Sequence, residues 1–138
     1  MVAGAYFVQR QGFSLNAFWI SLPFGALVAL VLLANNIRDI THDRDKGILT
    51  LAIVLGQRNG LRLYLVLVVL AYLAIVLMSF FGPLYLWSLI VLLSLPLALR
   101  LMRQMMKQLP ADADARTAQL DTAFGVLLVI SLVLEGVF

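Results

Sequence analysis

Asn35, Asn36, Asp39 and Asp43 follow directly on an apolar run from Leu27 to Ala34, with Arg38, Arg44 and Lys46 interleaved among them. If the helix carrying that run continues at ~100° per residue, Asn36, Asp39 and Asp43 fall at about 0°, 300° and 340°. Asn35 then falls at about 260° and Lys46 at about 280°, so five polar side chains share an arc of ~100°. Asp39 and Asp43 lie one turn apart and can face one ligand together. Without a counter-ion, two such carboxylates cost about 0.2–0.5 kcal/mol on an exposed helix, and more if buried. A divalent cation removes that penalty. Carboxylate and amide oxygens are hard ligands suited to Mg²⁺, which is usually held by one or two carboxylates plus substrate phosphates. Arg38, Arg44 and Lys46 would meet the charge of a diphosphate leaving group. The alternative is a solvated helix end whose basic residues only fix topology. That accounts for the arginines, but poorly for the paired amides and the i, i+4 aspartates.

Such a cluster needs a scaffold, and composition says which. Of 138 residues, 63% are hydrophobic and 12% charged, and the mean hydropathy is +1.02. A soluble domain of this length cannot hide that much apolar surface, so the chain reads as an integral membrane protein in contact with a lipid bilayer. It has no cysteine, which excludes disulfides and thiolate metal sites. The net charge of +3 is read for topology. No basic patch interleaved with aromatics suggests a nucleic-acid partner.

A spanning helix needs ~20 mostly apolar residues. Four segments meet that, near Leu15–Asn36, Leu61–Phe81, Leu84–Met102 and Leu120–Phe138. Pro23 and Gly25 fall inside the first and Pro96 inside the third, and Gly82-Pro83 stops the second. Residues 1–8 are too short to span and lack a basic n-region, so they read as a helix stub rather than a signal peptide. No period-two alternation is sustained, so a β-barrel is not expected. The predicted fold is therefore all-α: a polytopic transmembrane bundle of four full spans plus the stub, forming one domain over 1–138.

Nine of the ten Lys/Arg residues lie in or beside two connections, around 38–62 and 100–116. Both fall on one side, predicted cytoplasmic. Phe7, Phe13, Trp19, Phe80, Phe81, Tyr85 and Trp87 form an aromatic belt at the other side. Within the first connection, "ILTLAIVLG" is apolar but too short to span. It reads as an interfacial or re-entrant helix closed by Gly56, either a lid or a plain anchor. The second connection, "KQLPADADARTAQ", reads as solvated, with Asp112 and Asp114 outside the chemistry. His42, the only histidine, has no visible zinc or triad partner and reads as solvated. Glu135 is ionisable within a membrane segment, but it is close enough to the end to snorkel.

The run "NNIRDITHDRDKG" at 35–47, followed by "TLAIVLG", resembles the second aspartate-rich motif of the UbiA superfamily of intramembrane prenyltransferases. It looks most like the 1,4-dihydroxy-2-naphthoate polyprenyltransferases of menaquinone synthesis. "YFVQRQG" at Tyr6–Gly12 resembles a segment found one helix earlier in those enzymes. The likeness by motif covers roughly 4–60. It implies nine helices around a cavity, with two aspartate-rich motifs holding Mg²⁺ and a polyprenyl diphosphate at the cytoplasmic side of a bacterial membrane. By that resemblance Asp39 and Asp43 would bind magnesium, Asn35 and Asn36 would contact the metal–diphosphate shell, and Arg38, Arg44 or Lys46 would meet the diphosphate oxygens. An aromatic acceptor would take the prenyl group.

The sequence departs from the family pattern twice. Ile48 follows Gly47 where the family usually carries lysine, and Lys46 is the available substitute. No acidic residue occurs in 1–34, so the first aspartate-rich motif is absent. The expectation is the C-terminal half of a longer enzyme, starting late in its fifth helix, inactive without the missing N-terminal half. A small four-helix transporter and a catalytically inactive membrane remnant are the alternatives.

Overall fold

The computed structural model describes residues 2–137, with the side chains at 2, 3, 5, 6, 136 and 137 left aside. Met1 and Phe138, the predicted end of the fourth span, lie outside the described residues. In order, the helices are α1 (Val2–Arg10), α2 (Leu15–Arg38), α3 (Ile40–Asp45), α4 (Leu51–Leu55), α5 (Gln57–Phe81), a 3₁₀ helix (Leu86–Ser94), α6 (Leu95–Lys107) and α7 (Ala113–Val137). No strand occurs among the described residues. Four spans are long and apolar enough to cross a membrane: α2, α5, the 3₁₀ helix joined to α6, and α7. At 1.5 Å per residue, the 25 residues of α5 reach ~37 Å, enough for a hydrocarbon core of ~30 Å.

Each span packs on two neighbours: α2 on α5 and α7, and the third span on α5 and α7. Leu27, Leu30, Ala34 and Ile37 of α2 meet Tyr64, Val68 and Ile75 of α5 and Leu120, Phe124 and Leu128 of α7 in one core. Side chains also cross the centre between α5 and α7. The Tyr64 hydroxyl lies 2.9 Å from Thr117 Oγ1, and the Tyr72 and Phe124 rings meet edge-on at 5.2 Å. Such edge-to-face pairing suits the quadrupoles of the two rings. Outward faces are apolar, with Val66, Val69, Leu73 and Leu77 of α5 exposed, as a helix bathed in lipid requires. The predicted belt residues Phe13, Trp19, Phe80, Phe81, Tyr85 and Trp87 are all exposed at the end opposite Arg38.

Pro23 is buried inside a continuous α2, so neighbouring helices absorb it, as expected. At the end of α5 the chain turns so tightly at Gly82 that a Cβ there would lie 2.8 Å from Met78 Cα, which glycine alone avoids. Its own N–H and that of Leu84 both donate to the Met78 carbonyl. The third span corrects the sequence reading, which expected one helix over 84–102. Leu86–Ser94 is 3₁₀, and Pro96 sits in the first turn of α6 instead of mid-helix. Proline has no N–H and its ring clashes with a carbonyl four residues back, so α geometry cannot run through it at ordinary cost. A nine-residue 3₁₀ run is long, and a side-chain ladder accompanies it. With three residues per turn, Ser88, Val91 and Ser94 align on one face, and all three are buried. Ser94 Oγ bonds the Tyr72 hydroxyl at 2.7 Å and Ser88 Oγ bonds Ser79 Oγ. Along the 3₁₀ axis the serines stand ~12 Å apart, against ~10.5 Å between Tyr72 and Ser79 on α5. Both bonds can therefore close. An α-helix would turn the two serines ~120° apart and break one of them.

Two further boundaries shift. α7 begins at Ala113, not near Leu120, so half of the predicted solvated connector is helix. Asp112 and Arg116 form an i, i+4 pair at 2.8 Å, and Asp114 lies in the first turn, where a negative charge suits the helix dipole. Glu135, expected to snorkel, has a buried Oε2 with no hydrogen-bond partner among the described residues.

Candidate functional site

The apolar stripe of α2 ends at buried Ile37, and the polar residues that follow emerge half-buried at the end of the bundle. The helix does not continue as one rod. Asp39 takes φ −94°, ψ 12°, closing α2 and opening α3. This corrects the single-helix geometry expected for Asn36, Asp39 and Asp43. The bend is slight in hydrogen-bond terms, because Asp43 N–H still donates to the Asp39 carbonyl at 2.9 Å. The i, i+4 relation thus survives across the break. Gly47, at φ +69°, ends the motif. Its left-handed conformation lets Ile48 N–H reach back to the Asp43 carbonyl at 2.9 Å, the reverse turn that glycine provides at helix ends.

Arg38 is the hub. Its Nε and Nη2 donate to the two carboxylate oxygens of Asp39, each at 2.8 Å. Nη2 also donates to Asn35 Oδ1 at 2.7 Å, and Nη1 pairs with Asp114 at 2.5 Å. The planar guanidinium fork suits this bidentate geometry. The hydrogen bond from Arg38 holds the Asp39 carboxyl below its ordinary pKa range, opposed by partial burial and helped by the charge of Arg38. At the second connection, the hydrogen bond from Arg116 does the same to Asp112.

The structure therefore joins Asn35, Arg38 and Asp39. It does not join the others. Asn36 and Asp43 are half-buried, Arg44 and Lys46 are exposed, and none of the four makes a side-chain hydrogen bond or ion pair among the described residues. His42 is exposed, as expected. The predicted lid or anchor is α4, five residues closed by Gly56 at φ +75°. It packs Ala52 inward and leaves Leu51 and Val54 exposed. Asp114 was missed by the sequence reading, which set it aside as part of a solvated connector. The available signal was that both basic connections fall at one end, which brings the acidic run 112–114 opposite Arg38. Arg116 Nη1 also donates to Gln104 Oε1 at 3.0 Å, tying α6 to α7 at that end.

As a magnesium site the donor chemistry fits: two carboxylates and neighbouring amide oxygens, all hard ligands. The set is small. No group of three or more His, Cys, Asp or Glu side chains among the described residues could enclose a metal ion. Asp39 also has both oxygens engaged by Arg38.

A profile of the UbiA prenyltransferase family matches residues 1–132, well beyond the 4–60 that carry the visible motifs. The chain belongs to the UbiA prenyltransferase family. It is 32% identical over 135 residues to the 1,4-dihydroxy-2-naphthoate octaprenyltransferase of Bacillus subtilis, covering 95% of this chain and 43% of that protein. It is 30% identical to the enzyme of the same name from Escherichia coli, covering 99% of this chain and 44% of that one. The human UbiA prenyltransferase domain-containing protein 1 is 31% identical, covering 94% and 38%. The chain thus spans less than half the length of these relatives. No solved structure gives a significant match.

Proposed function

We propose that this chain carries one half of the metal–diphosphate site of a Mg²⁺-dependent prenyltransferase that moves a polyprenyl group from its diphosphate to an aromatic acceptor. By likeness to the naphthoate octaprenyltransferases, the acceptor is 1,4-dihydroxy-2-naphthoate and the product demethylmenaquinol, the reduced form of demethylmenaquinone. The observation that carries the reading is the half-buried Asn35–Arg38–Asp39 constellation at the end of α2, in a chain of this family. Its place is a bacterial cytoplasmic membrane with the aspartate-rich turn facing the cytoplasm, because the basic connections lie at that end.

In this reading Asp39 and Asp43 are the metal-binding carboxylates, and Asn35 and Asn36 contact the metal–diphosphate shell. The metal supplies neutralisation of the charge that grows on the departing diphosphate. Arg44 and Lys46, exposed on and beside α3, bind the diphosphate oxygens. Arg38 orients Asp39 and contributes its own positive charge to the leaving group. The allylic C–O bond breaks with its electron pair going to diphosphate, the aromatic ring forms the new C–C bond at the carbon that bears the carboxylate, and that carboxylate leaves as CO₂, its bonding pair restoring the aromatic ring. The apolar helices house the isoprenoid tail and keep water from the cationic carbon. In this reading a second set of carboxylates comes from the part of the family's length that this chain does not span.

The test is a prenyl-transfer assay with Mg²⁺ and the dihydroxynaphthoate, on the chain alone and joined to the N-terminal portion of the Bacillus subtilis relative. The joined protein turns over and the chain alone does not. Asp43→Asn in the joined protein lowers kcat/KM on the order of 100-fold or more, the scale of losing one preorganised electrostatic group. Turnover by the chain alone would overturn the half-site reading. Wild-type rates in Asp43→Asn would overturn the metal assignment.

A further inference from the structure

A groove of about 430 Å³ lies between the start of α5 and the end of α6, lined by Gln57, Arg58, Leu61, Arg62, Leu65 and Met106. Its volume is in the range of small-molecule sites. Its walls divide by chemistry. Arg58 and Arg62, one turn apart on α5, are exposed, and neither forms an ion pair among the described residues. Among the described residues the one hydrogen bond made by either guanidinium is a long one, 3.4 Å from Arg62 to Asn59 Oδ1. None of the acidic residues lines the groove. Leu61, Leu65 and Met106 form the apolar wall, and Leu65 lies deeper along the span than the arginines.

Other features add positive potential. The first turn of α5 leaves backbone N–H groups directed toward this end, and its cap, Gly56, has no side chain to satisfy them. A second groove on the same end of α6 carries Arg100, Arg103 and Lys107, again with no acidic wall. A positive mouth over an apolar wall, at the rim of a membrane span, matches a lipid whose head is anionic and whose tail is hydrocarbon. Topology alone asks only for cations beside the span. It does not ask for a groove with an apolar wall running toward the bilayer.

We propose that this groove binds an anionic phospholipid, with its headgroup phosphate held by Arg58 and Arg62 and an acyl chain lying along Leu61, Leu65 and Met106. The site is separate from the Arg38–Asp39 constellation and does not depend on the reading of that constellation. The partner is a structural lipid of the cytoplasmic leaflet. Its charge, not its headgroup identity, is what the two arginines recognise.

The test is native mass spectrometry of the purified chain, released from mixed micelles holding equal amounts of phosphatidylglycerol and phosphatidylcholine. The wild type retains phosphatidylglycerol in preference. Each arginine near an anionic headgroup is worth about fivefold, so Arg58→Gln/Arg62→Gln loses roughly 30-fold of that preference. Arg10→Gln, at the other end of the bundle, keeps it. Met106→Glu, at an exposed position, places a like charge on the apolar wall and lowers retention without touching the arginines, which guards against a double variant that fails to fold. Inorganic phosphate at millimolar concentration does not displace the lipid, because the acyl chain contributes to its hold. Equal retention of both lipids by the wild type would overturn the proposal. So would unchanged preference in both the arginine and Met106 variants, or full displacement by inorganic phosphate.

Discussion

Replacing Arg38 by glutamine separates two roles that the structure places on one side chain. In the present arrangement Arg38 covers both carboxylate oxygens of Asp39 at 2.8 Å, the same oxygens a metal would need. Each oxygen keeps a second lone pair, so a divalent ion there shares the carboxylate with the guanidinium and competes with it for the same negative charge. The side chains of Arg38 and Asp39 are 29% and 33% exposed, so solvent screens the pair and its strength is that of a partly exposed bridge. Such pairs are worth about 0.2–1 kcal/mol, and bidentate geometry places this one near the upper end. Arg38→Gln removes that competition and raises metal affinity by up to about fivefold, a figure that follows from the same range. Loss of the repulsion between guanidinium and dication acts in the same direction and adds to that effect. Affinity for a prenyl diphosphate moves the other way, because one cation is lost. Mn²⁺ binding followed by electron paramagnetic resonance, on the purified variant and the wild type, reads the first effect. Calorimetric titration with a prenyl diphosphate analogue reads the second. If metal affinity falls in Arg38→Gln, Asp39 is not held back by Arg38 and the assignment of its oxygens to a metal is wrong.

Other outcomes follow from the same geometry. Because Arg38 depresses the folded-state pKa of Asp39, the pair contributes stability above the ordinary carboxylate pKa of about 3.9 and loses it as pH falls through the depressed folded value. The melting temperature of the wild type therefore drops more steeply below about pH 4 than that of Arg38→Gln, and parallel pH profiles would contradict this. At the 3₁₀ ladder, Ser94 donates to the Val91 carbonyl, so the Tyr72 hydroxyl is the donor of the bond between them. Tyr72→Phe removes that donor cleanly and costs about 0.6 kcal/mol, the average for interhelical bonds in membranes. Ser94→Ala strands a buried phenol and costs about 1–3 kcal/mol. In reversible unfolding from bicelles, the double variant Tyr72→Phe/Ser94→Ala recovers most of the Ser94→Ala loss, and equal costs for the two single variants would refute the donor assignment.

Much of this architecture was legible because apolar runs of membrane length and glycine-proline stops act locally. The four spans, the stop at Gly82-Pro83 and the short helix closed at Gly56 depend on nearby residues alone. The polar cluster at 35–47 was legible for the same reason, since residue types at helical spacing announce a shared face. What remained hidden depends on partners distant in sequence. The 3₁₀ segment shows in the sequence only as serines six apart, and that spacing gains meaning once Tyr72 and Ser79 stand opposite. Asp114 looked like part of a solvated loop because its partner, Arg38, lies on another helix. The break at Asp39 was invisible to a wheel drawn on one continuous axis. The early start of α7 came from weak helix-end electrostatics, outweighed in the sequence by the nearby Pro110 and the run of small polar residues.

The central claim is that Asp39 and Asp43 hold a divalent ion that in turn holds a diphosphate. The most direct measurement is calorimetric binding of a non-reactive prenyl thiolodiphosphate to the chain joined with the N-terminal portion of a relative, with and without Mg²⁺. Strong binding that requires Mg²⁺, and that is lost in Asp39→Asn/Asp43→Asn, is the predicted result. Binding of equal strength without the metal, or undiminished in the double variant, would contradict it.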